Sequence, residues 1–217
     1  MWYNSIVEKR KKAELVKNYL FELIKEPKSE LEYFDNFSLL VAVILSAQCT
    51  DKRVNVVTKE LFKKYKTPED FSKLNTIELE KEIHSCGFYR NKAKNIINAS
   101  IMICSDFNGK VPEKFEDLLK LSGVGRKTAN VMLSVGFNKD AFAVDTHILR
   151  IANRLNFTSS NNPDIVERDL KRIFNKKDWS NMHYLLVLFG RYYCTARNPK
   201  CESCKIQNIC NYYKNKV

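Results

Sequence analysis

The sequence lacks a long apolar segment. Its longest apolar run, FSLLVAVILSA, begins at Phe37 and is about half the length needed to cross a bilayer. The N-terminal region mixes charged and apolar residues and has no uninterrupted apolar core of the kind that a signal peptide needs. We therefore expect a cytoplasmic protein with no membrane partner.

Glycine and proline are scarce, with 6 and 5 residues in a chain of 217. There is no long Gly/Ser/Pro-rich linker, repeat or low-complexity tract, so any lobes should be compact rather than tethered. The two-residue alternation typical of β-strands is missing as well, whereas apolar residues recur at helical spacing, for example over residues 54–65. We predict an all-α protein of about ten helices, with a helix buried on every side over residues 39–45.

Acidic residues are in the minority. Lys and Arg number 37 against 25 Asp and Glu, which gives a net charge of +12 and a sequence pI near 9.3. A folded protein this basic usually has a polyanionic partner, and nucleic acid is the leading candidate. Charge alone also allows a lysine-rich surface that serves only solubility.

Cysteine is plentiful, with seven residues. A reducing compartment argues against a disulfide framework. Four of the cysteines, Cys194, Cys201, Cys204 and Cys210, follow the spacing C-x6-C-x2-C-x5-C. Four thiolates can hold either a zinc ion or a [4Fe–4S] cluster, and the ligand set does not distinguish these. Zinc ribbons usually contain two C-x-x-C pairs, and this tail has one.

The stretch SGVGRKTAN contains two glycines one residue apart. It is not a nucleotide-binding Walker A loop, because Arg126 separates the second glycine from the lysine and no strand precedes it. Helical patterns on both sides predict a helix, a tight turn over Gly123, Val124 and Gly125, and a second helix. Backbone N–H groups at such a turn can bind a DNA phosphate, and an ordinary helix–turn–helix corner is the alternative.

Two residues near this turn are candidates for chemistry. Lys127 falls in the first turn of the second helix, where the macrodipole and Arg126 both disfavour a protonated amine. It could be a nucleophile, or a solvated lysine that contacts phosphate. Asp145, in AVDTHILR, is placed as a helix N-cap, a role that could explain it fully. Its second oxygen could also accept a proton or stabilise a cation.

The segment LSGVGRKTANVML followed by VDTHILR closely resembles endonuclease III, a family of bifunctional DNA glycosylases and abasic-site lyases in the helix-hairpin-helix superfamily. The resemblance runs from about Phe37 to Cys210. It implies a two-lobed all-α glycosylase fold with a C-terminal [4Fe–4S] cluster loop over 194–210. One lobe would span 29–139, with the hairpin at about 113–137. The other would combine 1–28 with 140–217.

The resemblance also implies roles for individual residues. Lys127 would attack C1′ of the damaged nucleotide while Asp145 assists and stabilises the sugar cation, and β-elimination would then nick the strand on the 3′ side. Gln48 would fill the gap left by the flipped base, although from the sequence alone it reads as a surface glutamine. Phe88 would be the wedge at a position usually held by leucine, and Ser122 replaces a frequent proline, which should loosen the turn.

The resemblance favours a [4Fe–4S] cluster on the four cysteines. Such a cluster would stiffen loops that carry Arg197, Lys200 and Lys205, and these residues, with Arg90 and Arg126, are predicted to contact the DNA backbone. The implied enzyme is a monomer that removes oxidised pyrimidines from duplex DNA and cleaves abasic sites. A bacterial source would place it at the nucleoid.

Two other functions stay open at this point. The related adenine-mismatch glycosylases have a similar cluster and aspartate, but they usually lack the hairpin lysine and carry an extra C-terminal domain. Alternatively, the hairpin and metal loop could belong to a DNA-binding module without catalytic activity.

Overall fold

The computed structural model describes residues 2–215, and the side chains from Ile6 onward within that range. The described residues form α-helices, two short 3-10 segments, one π-helical turn and no β-strand, which confirms the predicted all-α class. Within this part of the chain, no helix is long and apolar enough to span a membrane.

The chain divides into two compact units. The internal unit is Ser29–Lys139, and the terminal unit comprises the described parts of Met1–Lys28 and Asp140–Val217. The internal unit contains seven α-helices and a π-helical turn: α2 Asn36–Ser46, α3 Asp51–Lys64, α4 Pro68–Ser72, α5 Thr76–Ile83, α6 Tyr89–Asp106, α7 Phe115–Leu118, α8 Arg126–Val131 and the π turn Met132–Gly136.

Helix α2 is the centre of the internal core. Asp35 and Ser38 form a capping box at its start, since the Asp35 side chain accepts from the Ser38 N–H and the Ser38 hydroxyl accepts from the Asp35 N–H. All residues from Phe37 to Leu45 are buried, which confirms the helix predicted to be buried on every side. Helices α3, α6 and α8 pack around it. An apolar helix of this kind is stable only inside such a shell.

The terminal unit is built from both ends of the sequence. Its elements within the described residues are α1 Trp2–Leu23, α9 Thr146–Arg154, α10 Pro163–Ile173, the 3-10 segment Lys176–Asp178, α11 Trp179–Tyr192, the 3-10 segment Gln207–Ile209 and α12 Asn211–Lys214. Helix α1 packs against α10 and α11, and α9 packs against α11.

A half-buried ion pair fixes α1 in place. The Lys17 ammonium lies 2.8 Å from a Glu14 carboxylate oxygen and 3.1 Å from one of Asp178. The hydrogen bond that Lys17 donates to Glu14, aided by the one to Asp178, raises the pKa of Lys17. The apolar face of α1, which includes Val16 and Leu20, is fully buried. The N-terminal helix is thus an integral part of the terminal unit.

Candidate functional site

The hairpin lies in the internal unit between α7 and α8. Gly123 adopts φ +79°, and Gly125 is the N-cap of α8 with extended backbone angles. Val124 between them is buried, whereas Gly123, Gly125, Arg126 and Lys127 are exposed. The turn therefore has an anchored middle residue and an exposed rim, which leaves the N–H groups at the start of α8 accessible to a phosphate.

The two glycines have different structural roles. A Cβ at Gly123 would lie 2.8 Å from the Asn95 Cβ, whereas a Cβ at Gly125 would meet no atom within 4 Å. Gly123 is thus required for folding the turn against α6, and Gly125 leaves space open on the exposed side.

This difference gives a paired prediction. Gly123→Ala should lower the free energy of unfolding by about 2 kcal/mol, because it combines a positive φ with a steric clash. Gly125→Ala should leave stability within about 0.5 kcal/mol, because its backbone conformation suits alanine. It should nevertheless weaken DNA binding about tenfold by crowding the backbone. Urea unfolding and fluorescence anisotropy measure the two effects, and equal losses of stability would contradict the assignment.

Ser122 stabilises the hairpin through a side-chain contact. Its hydroxyl donates to the Asn95 Oδ1 at 2.9 Å. The resemblance predicts a looser turn than proline would give, and this stays a prediction. In the structure the serine hydroxyl links the turn to α6. A proline at this position would lack the hydroxyl.

Gln48 and Phe88 lie on neighbouring loops of the internal unit. Both are exposed, and both have left-handed backbone angles, with φ 53° and 57°. The Gly87 Cβ position lies 3.4 Å from the Gln48 carbonyl oxygen, so the two loops are in contact. Phe88 is 63% exposed. Two strained, solvent-facing residues side by side are a common feature of binding sites.

A buried lysine supports these loops. The Lys92 amine donates to the Leu45 carbonyl at 2.8 Å, near the C-terminus of α2, and Lys92 is only 5% exposed. Burial lowers the pKa of Lys92. The amine satisfies a carbonyl that the helix end leaves without an intrahelical partner, and it holds the chain just before Gln48.

Asp145 lies in the terminal unit, where it is half-buried at the start of α9. Its Oδ1 accepts from the Ile148 N–H at 2.8 Å, so it is the N-cap of that helix. The cap uses one oxygen, and the carboxylate is positioned at the positive end of the α9 dipole. A rigidly held carboxylate in this position is suited to stabilising a cation.

Two arginines on α9, which sequence reasoning missed, connect that helix to the cysteine loop. Arg150 donates to the Gly190 carbonyl at 2.8 Å and to the Cys194 carbonyl at 3.0 Å. Arg154 donates to the Cys194 sulfur at 3.2 Å and to the Thr195 carbonyl at 2.8 Å. In the sequence, the only indication that Arg150 and Arg154 act together was their spacing of four residues, which puts both on one face of the helix.

His147 lies next to Arg150. The Arg150 guanidinium is 3.3 Å from the His147 Nδ1, and burial lowers the pKa of His147. A Cβ at Gly190 would lie 2.7 Å from the His147 Cβ. Because Gly190 has no side chain, α11 can pack closely against α9, the helix that Asp145 caps.

Cys194, Cys201, Cys204 and Cys210 line one cavity of about 240 Å³, which also includes the ring of Tyr193. Among residues 2–215, no three His, Cys, Asp or Glu side chains are grouped closely enough to hold one metal ion. Thiols that share a cavity of this size suit a cluster in which each thiolate binds a different iron.

Two of the four thiols, those of Cys194 and Cys204, are in a buried environment that disfavours a thiolate without a metal or a positive charge beside it. Burial raises the pKa of both Cys194 and Cys204, so an unligated thiolate is disfavoured there. Coordination to iron deprotonates a thiol directly, and the Arg154 guanidinium beside Cys194 offsets part of the negative charge. The residues present therefore fit a metal cluster.

The basic residues predicted to contact DNA are distributed over both units. Arg90 is exposed, and its guanidinium stacks on Tyr89. Arg126 lies over the Phe115 ring. Arg197 and Lys200 are exposed on the cysteine loop, with the Lys200 amine 5.2 Å from the Tyr193 ring centroid. Lys205 forms an ion pair with Glu22, so part of its charge is neutralised within the protein.

Comparison with known proteins identifies the family. Residues 41–176 match the HhH-GPD superfamily of base excision DNA repair proteins, and residues 194–210 match the iron–sulfur binding domain of endonuclease III. Endonuclease III of Rickettsia felis is 45% identical over 92% of this chain and 96% of its own length. That of Bacillus subtilis is 46% identical over 92% of each chain. The chain belongs to the endonuclease III family.

A solved structure of the family supports the same conclusion. A trapped covalent intermediate of endonuclease III with DNA has a TM-score of 0.92 and 43% identity, and the match covers 95% of this chain and 98% of that one. The resemblance predicted from the hairpin and the VDTHILR segment is confirmed. In the endonuclease III family the cofactor of the 194–210 loop is a [4Fe–4S] cluster, and that prediction is confirmed for this chain as well.

Proposed function

We propose that this protein removes oxidised or ring-damaged pyrimidines from duplex DNA and cleaves the resulting abasic site. Base excision repair by a DNA glycosylase and abasic-site lyase is the activity of its family. The observation that carries the lyase assignment is Lys127, an exposed amine in the first turn of α8 directly after the open turn at Gly125. A solved relative with 43% identity was trapped as a covalent intermediate with DNA.

In the proposed mechanism, the neutral Lys127 amine attacks C1′ as the N-glycosidic bond breaks and the base leaves with a proton. The Asp145 carboxylate stabilises the positive charge that develops on the sugar. Opening of the sugar ring gives a Schiff base between Lys127 Nζ and C1′. Loss of a proton from C2′ then expels the 3′ phosphate by cleavage of the C3′–O3′ bond, and water releases the lysine.

The hairpin and the two loops would hold the DNA. Backbone N–H groups at Gly123 and Gly125 would bind phosphate with help from Arg126, and Arg90, Arg197 and Lys200 would add charge along the backbone. The predicted contact through Val124 is not supported, because the Val124 N–H donates to the Leu121 carbonyl at 3.1 Å and the residue is buried. Gln48 would pair with the orphaned base, because its amide can both donate and accept. Phe88 would occupy the base stack as a wedge.

The bound cluster would be held by Cys194, Cys201, Cys204 and Cys210. Its contribution is to fix the loop that carries Arg197 and Lys200, since glycosidic cleavage requires no electron transfer. We further propose that the protein acts as a cytoplasmic monomer, at the nucleoid in a bacterial cell.

The substrate assignment is tested with a panel of duplexes that contain thymine glycol, oxidised cytosine, 8-oxoguanine opposite C, or adenine opposite G. We expect excision of the oxidised pyrimidines at least about tenfold faster than of either purine. Preferential removal of adenine would instead indicate an adenine-mismatch glycosylase. Tight binding without excision of any base would indicate a DNA-binding module.

A further inference from the structure

A buried histidine of α11 holds the chain just before Asp145. The His183 Nδ1 lies 2.9 Å from the Ala143 carbonyl oxygen, a contact between positions 40 residues apart. A carbonyl oxygen can only accept, so Nδ1 carries the proton and donates. Both His183 and Ala143 are buried, and Ala143 is two residues ahead of Asp145. One side chain of α11 therefore fixes the course of the chain into the capping residue.

The Ala143 carbonyl lies in a segment where a side chain is needed as donor. Residues 141–145 belong to no helix, and the residues from Ala141 to Val144 are all buried. A buried carbonyl outside a helix has no ladder of backbone donors, yet it still needs a hydrogen-bond partner. His183 supplies this partner from a helix that is itself part of the core.

Helix α11 contacts the chain on both sides of Asp145. His183 bonds to the residue two positions before Asp145. Gly190, about two turns further along α11, packs two positions after it, where a Cβ at Gly190 would lie 2.7 Å from the His147 Cβ. The Arg150 guanidinium adds a bond to the Gly190 carbonyl at 2.8 Å. Asp145 thus lies between two contacts with the same helix.

The helix cap alone leaves one carboxylate oxygen less well fixed. The Ile148 N–H donates to the Asp145 Oδ1 at 2.8 Å, which orients that oxygen. Small changes in the backbone angles ahead of Asp145 would still move the other oxygen, and the bond from His183 restricts those changes. A displacement of about 1 Å at a reacting group can lower a rate about a hundredfold.

We propose that His183 is a positioning residue for base excision, which donates to the Ala143 carbonyl and thereby fixes the carboxylate of Asp145. This role rests on the proposed function, in which Asp145 stabilises the sugar cation. His183 itself contacts no DNA and transfers no proton in this role. Loss of its donor should therefore slow excision while DNA binding is retained.

Two substitutions separate the hydrogen bond from the packing of the ring. His183→Phe keeps a ring but has no donor, whereas His183→Asn loses the ring and places an amide N–H at the position of Nδ1. Single-turnover excision should slow about tenfold to a hundredfold in His183→Phe. In His183→Asn it should stay within about threefold of wild type, because the donor is kept.

Binding is measured in parallel to separate catalysis from affinity. The dissociation constant of a non-cleavable abasic duplex, measured by anisotropy, should stay within about threefold of wild type in both variants, because no positive charge at the DNA is lost. All rates are taken below the unfolding temperature of every variant. A histidine that served stability alone would leave the excision rate of the folded protein unchanged.

A double-mutant cycle tests whether His183 acts through Asp145. The excision rate of Asp145→Asn combined with His183→Phe should equal that of Asp145→Asn alone within about threefold, because a carboxylate that is absent cannot be misplaced. If His183→Phe does not fold, His183→Gln takes its place in both experiments, since its amide lies one bond further from the backbone than Nδ1 and misses the Ala143 carbonyl.

Three results would overturn the positioning role: excision by His183→Phe as fast as by wild type, an equal loss in His183→Asn, or losses that multiply in the double variant. In each of these cases a slow Asp145→Asn protein leaves the proposed function intact. Full excision by Asp145→Asn would instead overturn the role of Asp145 and, with it, that of His183.

Discussion

Replacing Lys127 with alanine is expected to abolish covalent trapping on abasic-site DNA by borohydride and to slow strand cleavage by at least about a thousandfold. The side chain is exposed at the start of α8, so its removal should not affect folding. Binding to a non-cleavable abasic duplex should weaken only severalfold, because one positive charge among many is removed. Gel analysis of trapped adducts and anisotropy give the two quantities.

Lys127→Arg is the matched control for this prediction. Arginine preserves the positive charge but does not supply a neutral amine near pH 7. If Lys127 only contacts phosphate, the arginine protein will cleave as wild type does. If Lys127 is the nucleophile, the arginine protein will bind DNA normally and form no adduct. Adduct formation by either variant would refute the Schiff-base assignment.

Replacing Asp145 with asparagine is expected to slow base excision by about 10²- to 10⁴-fold while the protein keeps its stability. Asparagine caps helices as well as aspartate does, so the bond to the Ile148 N–H is retained and only the charge is lost. Cleavage of a preformed abasic site should be affected less, because no sugar cation must form there. Single-turnover rates on the two substrates measure the difference.

Asp145→Ala separates the two roles of this carboxylate. It removes the cap as well as the charge, so it should lower the free energy of unfolding by about 1 kcal/mol relative to the asparagine variant. Full excision activity in Asp145→Asn would show that the residue is only a cap. That result would leave the hairpin lysine without its partner and would remove the basis for the proposed cation stabilisation.

Local patterns in the sequence were sufficient to predict several elements. The continuous apolar run predicted α2, in which every residue from Phe37 to Leu45 is buried. The step from an apolar stretch to an amphipathic one predicted the cap at Asp145. Each of these features depends on neighbours within a few positions of the chain, and such neighbours are visible in the sequence itself.

The two helices of the hairpin are shorter than the apolar spacing of the sequence predicts. Apolar spacing predicts helix throughout EKFEDLLKL, but α7 covers only Phe115–Leu118, because Leu121 and Val124 reach the core through a tighter turn. Likewise α8 ends at Val131 and continues as a π turn over Met132–Gly136. A Cβ at Gly136 would lie 2.8 Å from the Asn36 side chain, a packing constraint that no local pattern reveals.

The contacts around the cysteines were also beyond sequence reasoning. Arg154 meets Cys194 across a separation of 40 residues, and Tyr19 lines the cavity of the four cysteines from the other end of the chain. Arginine and tyrosine at these positions look like ordinary helix residues. Only the packing of α1 and α9 in the terminal unit brings them to the cysteine cavity, and packing between distant segments is not encoded in any short motif.

The division of the terminal unit between Met1–Lys28 and Asp140–Val217 determines the order in which the protein can mature during translation. Helix α1 leaves the ribosome on the order of ten seconds before α10 and α11, at synthesis rates of roughly 5–20 residues per second. During that interval the internal unit can fold, while Val16 and Leu20 of α1, both fully buried in the finished protein, have no core to join. Cys210 is synthesised after α11, so the set of four cysteines is complete, and the cluster can be inserted, only near the end of translation.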